Sequence, residues 1–174
     1  MNTTTIPPRS EVDAGDAWNL DSLFSGDDQW NESLSAFSLS ADTINGFRAS
    51  LAIPDAVTVS DFLACIGAYA GSQRLAENLG NYAFLKKSTD EGDAANLDRM
   101  GRYMMAASAF EASVSWLVPA IQNIPEKRIR AWIAPAPAGK NDDPFAPYRV
   151  WLEKLLRLKP YILSEREERI LALQ

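Results

Sequence analysis

Histidine is what this sequence lacks altogether: none occurs among 174 residues. Its absence removes the imidazole that Ser-His-Asp and Cys-His machinery needs as a general base. It also rules out a catalytic zinc site built on histidines within these residues. Cysteine is almost as scarce. Cys65 stands alone, so no intrachain disulfide can form, and one thiol cannot build a structural zinc site. Basic runs are missing as well, and the net charge is -6. A general nucleic-acid binder needs a concentrated cationic surface to displace counterions, so that class is set aside. No stretch approaches the roughly 18 to 20 uninterrupted apolar residues of a membrane span. Met1 to Val12 carry no apolar core of the kind a signal peptide has. A soluble, cytoplasmic chain with no membrane partner is the expectation. Strand signals are absent too, because no segment alternates apolar and polar residues for long.

What is present is helical periodicity. Hydrophobic residues make up 47% and charged residues 23%, an ordinary balance for a globular chain. Trp30, Leu34, Phe37, Ala41, Ile44, Phe47 and Leu51 recur at steps of three and four, one face of an α-helix. This helix is expected to start near Ser25, with Asp28 at capping-box spacing, to weaken at Gly46 and to end at Pro54. A second helix opens at Thr58, with Asp61 three residues on, and runs to Lys87 through Phe62, Ile66, Tyr69, Leu79 and Tyr82. Such a rod is about 45 Å long. Ser88 to Asp93 is a polar turn. Leu97, Met100, Met104, Ala107, Phe110 and Val114 then mark the inward face of a third helix, which Pro119 should kink or end. The two long helices, near 58–87 and 94–118, are expected to pair as an antiparallel hairpin.

Pro125 suits the start of a short helix reaching Ile133. Phe145, Tyr148, Trp151, Leu152, Leu155 and Leu156 mark another amphipathic helix, stopped by Pro160. Ser164-Glu165-Arg166-Glu167 is a capping box for one more, which the sequence leaves at Gln174 soon after it begins, as a truncated chain would. The fold class read from this is all-α: an elongated antiparallel helical hairpin with additional short helices. Its parts are an extended lead-in with a Trp/Leu cluster at 1–24, a helical lobe at 25–134 and a proline-rich connecting loop at 135–147. A last region, 148–174, leads toward a further domain.

Two stretches carry a family resemblance. Arg9 is followed by Trp18-Asn19-Leu20-Asp21-Ser22-Leu23-Phe24 and then Trp30. Farther on, Tyr148-Arg149, Leu152-Glu153 and Arg157-Leu158-Lys159 precede Leu163-Ser164-Glu165-Arg166-Glu167-Glu168. Between them come Tyr69, Leu75, Leu79, Tyr82-Ala83, Leu85 and Asp90. In order and spacing these resemble the N-terminal region of the oligoendopeptidase F-type M3 zinc metallopeptidases. Asn19 and Tyr161 depart from the family's usual aspartate and histidine. The resemblance implies a longer parent enzyme that hydrolyses short oligopeptides. Its zinc would be held by a downstream His-Glu-x-x-His motif and a later glutamate, with the motif glutamate activating water. This segment would form a wall of the substrate channel. Its expected partners are the oligopeptide and the C-terminal catalytic domain, and it would have no catalytic, cofactor-binding or metal-binding residue of its own. The rival reading is a free-standing all-helical interaction module without enzymatic activity.

The chemistry-bearing residues each have a plainer account. Asp90-Glu91-Asp93 and Asp142-Asp143 lack the alternating pattern of a calcium loop, and turn and helix-start chemistry explains both. Cys65, between Ala64 and Ile66, reads as a packing residue. Lys154, Arg157 and Lys159 stand near a helix end, where cations are favoured, although a peptide carboxylate would also suit them. Trp18, Trp30 and Trp151 read as packing anchors. Met100, Met104 and Met105 read as a soft stripe packed against another helix. Trp151, Leu152, Leu155, Leu156, Ile170 and Leu173 are expected to pack largely against the remainder of the parent. Without it some would either collapse onto the hairpin or face water, so that the isolated chain self-associates or frays from about residue 145 onward.

Overall fold

A computed structural model describes residues 11–16, 18–135 and 143–161. All the longer regular elements among them are helices, and no strand occurs there, so the all-α reading holds. The helices are α1 (Asp27–Asn45), α2 (Arg48–Leu51), α3 (Val59–Thr89), α4 (Ala94–Val114), α5 (Leu117–Asn123), α6 (Glu126–Ile133) and α7 (Arg149–Leu158). Short 3-10 turns cover Ala14–Asp16 and Lys159–Tyr161. The chain divides into two compact units. One comprises residues 1–46 and 68–114, the other 47–67 and 115–174, so that α3 contributes to both.

Local chemistry sets the helix ends. The Asp61 N–H donates to Thr58 Oγ1 at 3.1 Å, which opens α3 where the sequence placed it. Its 31 residues span about 46 Å. At α1 the helix starts at Asp27, and the residue that reaches back is Gln29 rather than Asp28. Gln29 Oε1 accepts from the Ser25 N–H at 2.7 Å and from its hydroxyl at 3.1 Å. The longer glutamine side chain can span that gap, as in a capping box. α1 stops at Asn45, and Gly46 donates its N–H to Asp42 O at 3.0 Å before the single turn of α2. The break after α4 falls at Ser115–Trp116, ahead of Pro119 itself. A proline at 119 has no N–H for the carbonyl of residue 115, so the ladder fails one turn upstream.

The first unit is a three-helix arrangement. α1 and α4 lie close and run the same way, with Asp27 near Arg99, Phe37 against Phe110 at 4.9 Å between ring centres, and Asn45 donating to Ser113 at 2.8 Å. α3 runs antiparallel to both. Trp30 Nε1 donates to Leu79 O at 3.1 Å, and Gln73 Nε2 donates to Glu111 Oε1 at 3.1 Å. Tyr69 faces Phe110 at 6.4 Å, and Tyr103 lies over Gly80. Within this unit α3 and α4 therefore form the expected antiparallel pair.

The inward face of α4 differs from the sequence reading. Phe110 and Val114 are buried, but Asn96 and Arg99 are buried where Leu97 was expected, and Leu97 and Met104 are exposed. The face is turned by one residue in the first half of the helix. Arg99 explains the turn. Its guanidinium sits 5.9 Å from the Trp30 ring centre and 5.8 Å from that of Tyr82. Its nitrogens donate to Asp27 Oδ2 at 2.5 Å and Asn96 Oδ1 at 2.7 Å. An arginine stem covers apolar surface while its charged head is satisfied, so it serves as a core residue here.

The second unit is built from α2, α5, α6, α7 and the first turns of α3. Phe62 packs on Trp132 at 5.2 Å and stacks on Phe145 at 6.2 Å. Arg128 lies 5.1 Å from the Trp132 ring centre and donates to Pro54 O at 2.8 Å and Val57 O at 2.6 Å, tying the loop before α3 to α6. Arg149 donates to Ile133 O at 2.7 Å and pairs with Asp143. Leu152 and Leu156 are buried inside this unit. Ile170 and Leu173, the capping box at Ser164 and the Leu163–Glu168 motif lie outside the described residues.

The tight contact at Gly80 yields a paired test. A Cβ added there would lie 2.6 Å from the Tyr103 ring, whereas one at Gly71, on the same helix, would meet nothing within 4 Å. Gly80→Ala is expected to destabilise by about 1–3 kcal/mol through overpacking. Gly71→Ala should stabilise by roughly 0.5–1 kcal/mol through helix propensity alone. Urea denaturation of the two variants reads the signs, and the same sign for both would contradict the packing described.

Candidate functional site

The acidic cluster at the start of α4 is occupied by backbone chemistry. Asp90 Oδ1 accepts the Gly92 N–H at 2.9 Å, and Asp93 Oδ1 accepts the Ala95 N–H at 2.8 Å. Both carboxylates complete the turn and cap the helix. Asp143 accepts the Phe145 N–H at 3.2 Å and pairs with Arg149, while Asp142 lies outside the described residues. Among the described residues no three His, Cys, Asp or Glu side chains converge as a metal site would require. The described residues therefore bring together no ligand set for the zinc that the resemblance implies.

Cys65 is fully buried on α3, and burial pushes its thiol up to about 11. Nearby cations would act the other way, and none offsets the desolvation. Trp30 is the packing anchor expected. Trp18 is not: it is 74% exposed, while Phe24 takes the buried place and meets Tyr82 edge-on at 5.4 Å. Trp151 is half-buried. The methionine stripe also departs from its reading. Met100 is half-buried, but Met104 and Met105 face outward at 56% and 75% exposure, because Arg99 and Tyr103 hold the inward side of α4. Phe84 is likewise exposed, on α3.

Two concavities lie in the second unit. Lys154 and Arg157 line one of about 420 Å³, together with Arg130, Val150 and Glu153; Lys159 is not part of it. Arg130 there is engaged by Glu126 at 2.6 Å. The other, of about 350 Å³, is mostly apolar and has Arg48 and Trp116 at its edge. Sequence reasoning passed over both residues. Arg48 sits on no recognisable motif, and Trp116 falls in the break between α4 and α5.

By length and composition alone, Ala94–Asn123 is long and apolar enough to cross a membrane. It is interrupted at Ser115–Trp116 and carries Asp98, Arg99, Arg102 and Glu111. Arg99 and Arg102 donate to Asp27 and Asn31 of α1, contacts that suit a packed helix bundle.

The described residues define an all-helical region. Comparison with known proteins adds what the chain is similar to. A family model described as Oligopeptidase F matches residues 121–174. The chain is 28% identical, over 96% of its length, to Oligopeptidase PepF of Bacillus subtilis, and covers 23% of that protein. It is 27% identical, over 94% of its length, to an oligoendopeptidase F homolog of Borreliella burgdorferi, and covers 26% of it. A crystal structure assigned to a peptidase of Chlamydophila abortus aligns with 96% of the chain at a TM-score of 0.72 and 26% identity, and the chain covers 27% of it. These matches support the resemblance to the N-terminal region of oligoendopeptidase F-type peptidases. The chain spans about a quarter of the length of the relatives it matches.

The buried thiol predicts a pH dependence. Its folded value lies above the ordinary 9.0, so the unfolded chain releases its proton first. The contribution of the buried thiol is complete below about pH 9 and is lost as pH rises toward 11. Alkylation of Cys65 by iodoacetamide at pH 8 should proceed only as fast as the protein unfolds. Modification at the rate of a free thiol in folded protein would contradict the burial.

Proposed function

We propose that this chain is a non-catalytic helical region of a zinc oligopeptidase, contributing a wall of the channel that holds short peptides. The observation that carries it is the similarity to oligopeptidase F proteins along nearly the whole chain, with coverage of only a quarter of their length. A quarter of such a protein, without histidine, is suited to shaping a substrate enclosure rather than to chemistry. Zinc and the residues that hold it would come from the remainder of the parent, where the metal would polarise the scissile carbonyl and activate water. Long helices fixed by buried aromatic and guanidinium contacts give the stiffness a channel wall needs. A reducing, cytoplasmic setting agrees with a lone cysteine that the fold buries.

The exposed side chains Phe84, Leu97, Met104 and Met105 favour a second reading, a helical module that grips a partner. The coding sequence downstream separates the two, since an in-frame His-Glu-x-x-His motif belongs only to the peptidase. In solution, the purified chain with zinc should leave a quenched fluorescent peptide intact. Zinc-dependent cleavage that persists through further purification would place the catalytic groups inside these residues and overturn the reading.

A further inference from the structure

Among the described residues four arginines lie over tryptophan rings, and their hydrogen bonds distinguish them. Arg99 spends its N–H groups on Asp27 and Asn96, Arg102 on Asn31, and Arg128 on the carbonyls of Pro54 and Val57. Each is a clamp whose donors are used. Arg48 is the exception. Its guanidinium lies 5.3 Å from the Trp116 ring centre, is exposed, and has no hydrogen-bonded acceptor or carboxylate partner among the described residues. Contact with the indole face holds a guanidinium while leaving its N–H donors available.

Arg48 borders the apolar concavity of about 350 Å³ in the second unit. Buried Leu51 and half-buried Trp116 line it, with Pro54 and Pro119, and Asn123 adds a side-chain amide. Arg128 holds Pro54 in place through its carbonyl. The volume is at the small end for ligand pockets, which begin near about 300 Å³. The geometry points to a subsite for the carboxy-terminal residue of a peptide. Arg48, with the Asn123 amide, would take the terminal carboxylate, and an aromatic or aliphatic side chain would enter the apolar concavity. A guanidinium fork with free donors matches a carboxylate, and among the described residues no anion within ion-pair distance competes for it. The carbonyl end of α5 at Asn123 works against an anion, so the guanidinium must outweigh it. That the carboxylate belongs to a peptide rests on the peptidase reading; the pairing of an anion with an apolar group does not.

The test uses the chain as it is. Ala-Ala-Phe, its C-terminal amide and free phenylalanine are titrated while the Trp116 indole N–H is followed by NMR, assigned through Trp116→Phe. The free acid should shift that signal saturably. The amide should bind about tenfold more weakly, as expected for loss of a charge-assisted contact, and free phenylalanine should bind more weakly than the tripeptide. Arg48→Gln should abolish the acid-over-amide preference and Arg48→Lys should retain part of it, with near-UV circular dichroism confirming the fold of each. Equal binding of acid and amide, no shift of Trp116 at millimolar peptide, or free phenylalanine binding as well as the tripeptide would overturn the assignment. The first comparison needs no variant. A failure here would leave the peptidase reading untouched, because that reading is decided by the downstream motif and the cleavage assay.

Discussion

A helix of 31 residues cannot cover its own apolar side chains, and α3 presents them along most of its length. Phe62, Cys65 and Ile66 are fully buried near its start, and Leu79, Tyr82 and Ala83 are buried farther on. α1 and α4 flank the later turns, while α6 and the Phe145 turn cover the first ones through Trp132 and Phe145. Fully burying one large apolar side chain contributes about 1.5–3 kcal/mol. Several such residues on one rod therefore outweigh the modest intrinsic tendency of the sequence to be helical.

The means by which α3 is covered are partly aromatic and partly cationic. Arg99 lies against Trp30 and Tyr82, where a sequence reader expects leucine or methionine. The arrangement is stable because each donor finds an acceptor: a lone buried guanidinium would carry a heavy desolvation cost, and Asp27 and Asn96 remove it. The Tyr82 hydroxyl donates to the same Asp27 at 3.2 Å. Burial first, and then the Asp27 charge, raise the Tyr82 phenol above its ordinary value, so it remains a donor at neutral pH. One carboxylate thus organises an arginine and a tyrosine at the start of α1.

This explains which features were legible from sequence. The existence of the long helices, the Thr58 cap and the burial of Trp30, Phe37, Ile44 and Phe110 follow from period and local capping chemistry. The facing of α4 does not. A hydrophobic pattern assigns Leu97 and Met104 inward, because it counts Asn96 and Arg99 as polar and cannot see the rings they cover. Trp18 fails for a related reason: size predicts burial only where a neighbouring element supplies a surface, and Phe24 occupies the one beside Tyr82. The site was less legible still. Arg48 and Trp116 are separated by 67 intervening residues, and only the fold of the second unit brings the guanidinium over the indole.

An absence of histidine and an abundance of stacked arginines have a common consequence. Arginine stays charged across the whole physiological range, whereas histidine would titrate within it. Contacts made by Arg99, Arg102 and Arg128 are therefore held at constant strength from mildly acidic to mildly basic conditions. A helical scaffold held by such contacts keeps its shape as pH changes within that range. The same constancy applies to Arg48. A carboxylate taken there would be held without regard to pH until the carboxylate itself was protonated, in the ordinary range of a peptide's terminal carboxyl group.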